Sequence, residues 1–194
     1  VRKGDGMRNN EIIKKAIEFA RKFHEGQPYS DVYGYIRHLE MVYDVLVRFG
    51  FREVVILASS WLHDIIEDTI VSYQTVKIEF GFDIAEAVYG VTDELGRNRK
   101  ERKAKTYPKI RANINSLILK LADRIANVEF GASGVFGDPS KTKMYRKEQA
   151  EFEEALGFNE LSEKFSKGAY DSEEEKEVDK KILAMWLHLR ELLK

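Results

Sequence analysis

The sequence predicts an all-α, single-domain helical bundle. Apolar residues recur at helical spacing through most of the chain, only three prolines interrupt it, and no stretch of useful length alternates apolar with polar residues. At 194 residues and 43% hydrophobic content, the chain is long enough to bury a substantial core. One domain over residues 1–194 is expected, with its motif-bearing part at about 10–156 and a helical extension at 157–194.

The elements follow in order. Asn10 is placed to cap a first helix, EIIKKAIEFARKF, with Ile12, Ile13, Ala16, Ile17, Ala20 and Phe23 on one stripe. HEGQPYSDVYGY reads as a loop by its Gly, Pro, Ser and Asp content. A second helix runs from about Ile36 to Phe49, and Gly50 supplies a left-handed cap. A third covers Val54 to Thr69. Ser72 and Asp83 are expected to cap two more, SYQTVKIEF and DIAEAVYGVTD, separated by Gly81. Residues 96–113 form the one strongly basic stretch, followed by an amphipathic helix, SLILKLADRIANVEF. A Gly-rich loop, GASGVFGDPS, leads to a helix from about Lys141 to Leu156. A short segment at Glu160 to Ser166 precedes a closing helix from about Ser172, whose acidic first turns suit its dipole.

Composition narrows the function classes. Thirty-two basic and 33 acidic residues leave a net charge of −1, so no bias toward nucleic acid or another polyanion appears. The absence of cysteine removes disulfides, thiolate metal sites and cysteine nucleophiles together. No apolar run reaches membrane-spanning length and VRKGDGMRNN lacks a signal-peptide core, so a soluble, cytoplasmic protein without membrane partners is expected.

Within VVILASSWLHDIIEDT, an apolar run carries His63, Asp64, Glu67 and Asp68. Read as one helix at about 100° per residue, the four occupy an arc of about 140°. Val54, Val55, Ala58, Trp61, Leu62, Ile65 and Ile66 cover the opposite side. Carboxylates on such a buried helix are costly unless a cation or donors meet them, and a bound metal resolves the cost. A solvated helix edge is the bland alternative for the His-Asp pair alone. Two further candidates lie elsewhere. His38 starts the second helix, and Asp123 sits in LKLADRIAN with Lys120 and Asn127 on its face. Arg124 offers Asp123 an ordinary salt bridge instead. Together His38, His63, Asp64 and Asp123 form an N/O ligand set suited to Mn²⁺, Fe²⁺ or Zn²⁺. His24 and His188 read as packing or surface residues.

The order His38, His63-Asp64, Asp123 resembles the HD phosphohydrolase superfamily. More narrowly, the chain is similar to the hydrolase domain of RelA/SpoT homologues, especially the free-standing small alarmone hydrolases. The resemblance rests on Ala20-Arg21-Lys22, Tyr35-Ile36-Arg37-His38, Leu62 to Thr69, Val91-Thr92-Asp93, Glu101-Arg102-Lys103 and Lys120 to Asn127, colinear over roughly residues 16–130. It implies one Mn²⁺ on His38, His63, Asp64 and Asp123, and hydrolysis of the 3′-pyrophosphate of ppGpp or pppGpp to GDP or GTP and pyrophosphate. It also implies that Glu67 and Asp68 serve the attacking water and that Asn127 contacts the nucleotide. Elementary chemistry agrees: a metal acidifies bound water and takes up phosphoryl charge, and a carboxylate one turn beyond the pair can orient or deprotonate that water. Arg99, Arg102 and Lys103 are candidates to meet a polyphosphate, with Arg146 from the later helix; a solvated helix face is the alternative for each.

The chain departs from the family at two places. Where alarmone hydrolases carry a basic pair or triplet, this sequence has Gln27-Pro28-Tyr29-Ser30-Asp31, so Tyr29 or Tyr33 is the candidate to stack on a base. Glu129 and Phe130 follow Asn127 where Arg and Thr are usual. Three functions are therefore weighed. The first is alarmone hydrolysis, by a chain too short to add a synthetase. The second is an HD phosphohydrolase acting on another phosphorylated nucleotide, such as the 2′-phosphate of NADPH or a deoxynucleotide. The third is a ligand-binding regulator on a degenerate fold, disfavoured because the metal set and Glu67-Asp68 are all present.

Overall fold

A computed structural model describes residues 3–134 and 137–194; of the Gly-rich loop, Val135 and Phe136 lie outside the described residues. The described chain is all-α, and its only β-type pairing there is an isolated bridge between Pro28 and Gly34. The helices are α1 (Lys3–Phe23), α2 (Ile36–Arg48), α3 (Val54–Leu62), α4 (Ile65–Asp68), α5 (Tyr73–Phe80), α6 (Phe82–Val91), α7 (Arg99–Arg111), α8 (Ile114–Gly131), α9 (Pro139–Leu156), α10 (Phe158–Lys167) and α11 (Glu173–Leu192). None of the described helices is long and apolar enough to cross a membrane.

Two helices hold the centre. VVILASSWL is apolar on nearly every side, and Ile56 to Leu62 are buried without a break. A helix with no polar face can only lie inside, and α3 packs against α1, α2, α6 and α8. The longer α8 meets α2, α3, α6, α7, α9 and α11. Its Leu119, Leu121, Ala122, Ile125 and Val128 join Trp186, Met185 and Phe152 in one apolar cluster, while α1, α3, α5 and α6 supply a second. Gly90 brings α6 against α8: a Cβ there would stand 2.0 Å from Ser116 Oγ, which donates to Ala87 O at 3.1 Å. Larger residues at Gly90 would push the two helices apart.

Several boundaries differ from the sequence reading. Asn10 lies inside α1, which begins upstream; no proline precedes it, and asparagine in a helix costs less than about 0.7 kcal/mol relative to alanine. Gly81, at φ 91°, occupies the N-cap of α6, leaving Asp83 in the first turn. Ser72 does cap α5, accepting from Thr75 N. Asn98, Asn113 and Asp138 cap α7, α8 and α9 through their side chains, and these were not anticipated. The largest difference concerns Val54–Thr69, which is two helices. The backbone breaks at His63-Asp64, where Asp64 adopts φ −98°, ψ 0°, and the N–H groups of Glu67 and Asp68 both turn to Asp64 O. That bridge-like conformation is common at functional sites. The projection at a fixed helical angle therefore holds only to Leu62.

Candidate metal and active site

The break between α3 and α4 delivers His63 and Asp64 to a point where α2 and α8 also arrive. His38 Nε2 stands 3.1 Å from His63 Nε2, 3.5 Å from Asp64 Oδ2 and 3.3 Å from Asp123 Oδ1. His63 Nε2 lies 2.9 Å from Asp64 Oδ2 and 3.9 Å from Asp123 Oδ1. Atoms bound to one ion at about 2.1 Å stand about 3.0–3.4 Å apart when adjacent and about 4.2 Å apart when opposite. His38, His63 and Asp64 form a group that could hold a metal ion, and Asp123 Oδ1 lies close enough to both imidazoles to join it, which offers two nitrogens and two oxygens to a divalent cation. His63 Nδ1 donates to Ser60 O at 2.9 Å, which leaves Nε2 with its lone pair facing the cluster. A pair of buried imidazoles facing two partly buried carboxylates fits a metal.

The surrounding groups orient these ligands. Tyr35 Oη donates to Asp64 Oδ2 at 2.5 Å. Asn127 Nδ2 donates to Asp123 Oδ1 at 2.6 Å and to the Asp123 carbonyl at 3.0 Å, while Tyr29 Oη donates to Asn127 Oδ1 at 3.0 Å. Lys120 Nζ pairs with Asp123 Oδ2 at 3.0 Å. The loop carrying both tyrosines is stiffened from within: Tyr35 N donates to Gln27 O and Tyr29 N to Tyr33 O, each at 2.8 Å. His24 stacks on Tyr35 and Tyr29 stacks on His38, with ring centroids 4.8 Å and 4.9 Å apart.

Electrostatics follow from the convergence. Burial alone would lower the His38 pKa, but hydrogen bonds and charge from Asp123 and Asp64 raise it to about 9. Burial works to raise the Asp123 pKa, yet Lys120 and the two histidines hold it well below the usual carboxylate range. Burial pushes the Tyr35 phenol above its ordinary value, and Asp64 and Asp68 push it further. Beside the cluster opens a cavity of about 130 Å³ lined by the carboxylates Asp64, Glu67, Asp93 and Asp123 and by the cations Arg99, Lys103, Lys120 and Arg124. Glu67 Oε2 accepts from Asp93 N at 3.0 Å, and partial burial raises its pKa. Three of these cations, Arg99, Lys103 and Arg124, converge on Glu148. Burial, opposed by Glu148 and reinforced by the neighbouring guanidiniums, lowers the Lys103 pKa to about 8.

Residues 16–150 match the family model described as the HD domain. The chain belongs to the HD domain family. It is similar to the bifunctional (p)ppGpp synthase/hydrolase SpoT of Escherichia coli (strain K12), with 36% identity over 123 residues, 60% of this chain and 17% of SpoT. It thus spans about a sixth of that relative's length. It is also similar to the guanosine-3′,5′-bis(diphosphate) 3′-pyrophosphohydrolase MESH1 of Danio rerio, 28% identical over 121 residues, 60% of this chain and 67% of MESH1. Among solved structures, a metazoan ortholog of SpoT that hydrolyzes ppGpp superposes with a TM-score of 0.68 at 22% identity, over 94% of this chain and 97% of that one, a likeness of fold.

Within this HD domain, the structure gathers His38, His63, Asp64, Asp123, Asn127 and Glu67 around one point, with Asp68 on the exposed turn beside it. Arg99 and Lys103 line the adjoining cavity, and Arg102 reaches Asp93 at 3.5 Å. Arg146 is not brought there. Its Nε donates to Leu193 O at 2.7 Å, because position 146 faces α11 while Tyr145 takes the cavity side of α9. Tyr29 has one ring face on His38 and its hydroxyl on Asn127, so it braces His38 and Asn127, and it also lines a cavity with Phe130 and Lys141. Arg124 pairs with Glu148, and it is Lys120 that pairs with Asp123. Glu129 is held by Arg48 and His188, and Phe130 packs on Tyr29. Sequence reasoning missed Tyr35, Ser60, Arg124 and Glu148 as parts of the site. Only Tyr35 carried a local signal, three residues before His38 in the same motif.

Proposed function

We propose that this protein is a metal-dependent (p)ppGpp 3′-pyrophosphohydrolase with Mn²⁺ as its ion, held by His38, His63, Asp64 and Asp123. The observation that carries the proposal is one cavity lined both by Asp64 and Asp123 of the candidate quartet and by Arg99, Lys103 and Arg124. A phosphorylated group bound there would have its scissile phosphorus beside Asp64 and Asp123 and its remaining charge on the cations. The similarity to SpoT and MESH1 supports the alarmone as substrate.

A bound divalent ion would supply Lewis-acid stabilisation of phosphoryl charge and lower the pKa of water. The chain's own residues do the rest. Glu67, with its raised pKa, takes a proton from the attacking water, and Asp68 on the same turn assists in orienting it. Attack at phosphorus breaks the bond to the 3′ oxygen, giving GDP or GTP and pyrophosphate. Asn127 holds Asp123 through its amide, at the position from which it would contact the nucleotide. Arg99, Arg102 and Lys103 take the phosphates. We read the protein as cytoplasmic and acting on a free nucleotide, without nucleic acid or membrane partners.

A second reading, an HD phosphohydrolase for another phosphorylated nucleotide, is favoured by one observation. The loop Gln27–Asp31 has no basic residue, and Lys141 Nζ stands 5.3 Å from the Tyr29 ring centroid. Phosphate contacts are indifferent to the base, so guanine preference should be looser than in a protein with a basic loop. Hydrolysis of ppGpp, its adenine counterpart and NADPH, compared in Mn²⁺, separates the readings. Turnover of another nucleotide with ppGpp untouched would install the second.

A further inference from the structure

Glu148 sits where an anion belongs. Its Oε2 alone meets Lys103 Nζ, Arg99 Nη2 at 3.3 Å and Arg124 Nη2 at 3.4 Å, while Oε1 takes Arg99 Nε at 2.8 Å. Three cations gathered on one carboxylate leave an excess of positive charge. One of them is also under-used: Arg124 is 3% exposed, lies 3.6 Å over the Phe152 ring centroid, and its Nη1 is buried without a hydrogen-bond partner among the described residues. Buried charged donors are normally satisfied, and an idle one marks a place for a ligand. These cations line the same cavity as Asp64 and Asp123, and Glu148 reaches them from α9 with part of its side chain in solvent.

We propose that Glu148 is an internal stand-in for a phosphoryl group: its Oε2 holds the seat of the distal phosphate of a diphosphate substrate and swings out to solvent when that group enters. A phosphate brings more charge and more acceptor oxygens than a carboxylate, so it satisfies the Arg99, Lys103 and Arg124 donors more fully. A monophosphate engaged beside Asp64 and Asp123 carries no second phosphoryl group for the seat and would leave Glu148 in place. The carboxylate thereby selects for a diphosphoryl group and keeps three like charges together while the cavity is empty of anions. The identity of the group as the substrate's diphosphate rests on the proposed function; the seat itself does not.

The alternative is a fixed brace that merely orients the cations, and the two differ in the sign of one measurement. Inorganic pyrophosphate is titrated calorimetrically into the whole protein in excess chelator, where no turnover occurs. Glu148→Gln removes the competing charge and is expected to bind about tenfold tighter than wild type, the scale of one charged hydrogen bond. Glu148→Asp, which keeps the charge but draws it back, should fall between them, and it serves alone if the Gln variant does not fold. Adding Lys103→Ala should abolish the gain. Equal or weaker binding in the folded Glu148 variants, or a gain that survives loss of Lys103, overturns the proposal. A protein that shows the gain but leaves ppGpp intact refutes the proposed substrate and not the seat; the converse result refutes the seat and not the substrate.

Discussion

The Nε2 atoms of His38 and His63 stand 3.1 Å apart, contributed by two different helical elements and facing each other across two carboxylates. His63 already donates through Nδ1 to Ser60 O, so its Nε2 presents a lone pair. A proton on His38 Nε2 can bridge to that lone pair in the metal-free protein, and a shared cation would take the proton's place. This relationship suits the quartet to a shared cation and sets the first prediction.

His63→Ala and Asp123→Ala should each lose the metal, since they remove ligands from separate helices. Elemental analysis of the purified variants checks this, with thermal melts alongside because metal binding stabilises the folded state. Full metal occupancy in either variant would contradict the four-ligand assignment.

In the metal-free protein, His38 should make stability depend on pH. Its folded-state pKa of about 9 lies above the unfolded value near 6.5, so its contribution is fully present below pH 6.5 and is lost as pH rises through about 9. Lys103, lowered to about 8, acts with the opposite sign over a partly overlapping range. The measurement is therefore a difference: wild type minus His38→Gln in melting temperature, in chelator, from pH 6 to 10. The gap should shrink with rising pH, and a constant gap would refute the coupling of His38 to Asp64 and Asp123.

Tyr29→Ala should weaken metal retention by about tenfold, the low end of the range for groups that orient ligands. It removes both the ring packed on His38 and the hydroxyl that fixes Asn127 on Asp123. Competition with a graded chelator reads the affinity. An unchanged affinity would return Tyr29 to the role of a base-stacking residue.

Much of this was legible in the sequence because the signals are local. The 3.6-residue periodicity of EIIKKAIEFARKF and SLILKLADRIANVEF located helices, and His63-Asp64 with Asp123 in LKLAD pointed to side chains that the fold brings together. What stayed hidden depends on tertiary approach. The break between α3 and α4 could not be read from VVILASSWLHDIIEDT, which carries no glycine or proline and scores as one helix. Glu148 looks like one more acidic residue on a charged helix until α7 and α8 bring Arg99, Lys103 and Arg124 to it. Arg146 misled for the same reason: one position along α9 turns its side chain from the cavity to Leu193.

Glu67→Gln should keep metal and fold yet lose at least about a hundredfold in turnover, the lower scale for a positioned acid–base group. Its amide can still accept from Asp93 N, so the local backbone has no reason to move. Near-wild-type turnover in the metal-loaded variant would transfer the role to Asp68.

The most direct test of the central claim is product analysis after incubating the purified protein with ppGpp and Mn²⁺. The account predicts GDP and pyrophosphate in equal amounts, with neither formed by His63→Ala. Intact ppGpp in the presence of metal-loaded, folded protein, or release of orthophosphate in place of pyrophosphate, would contradict it.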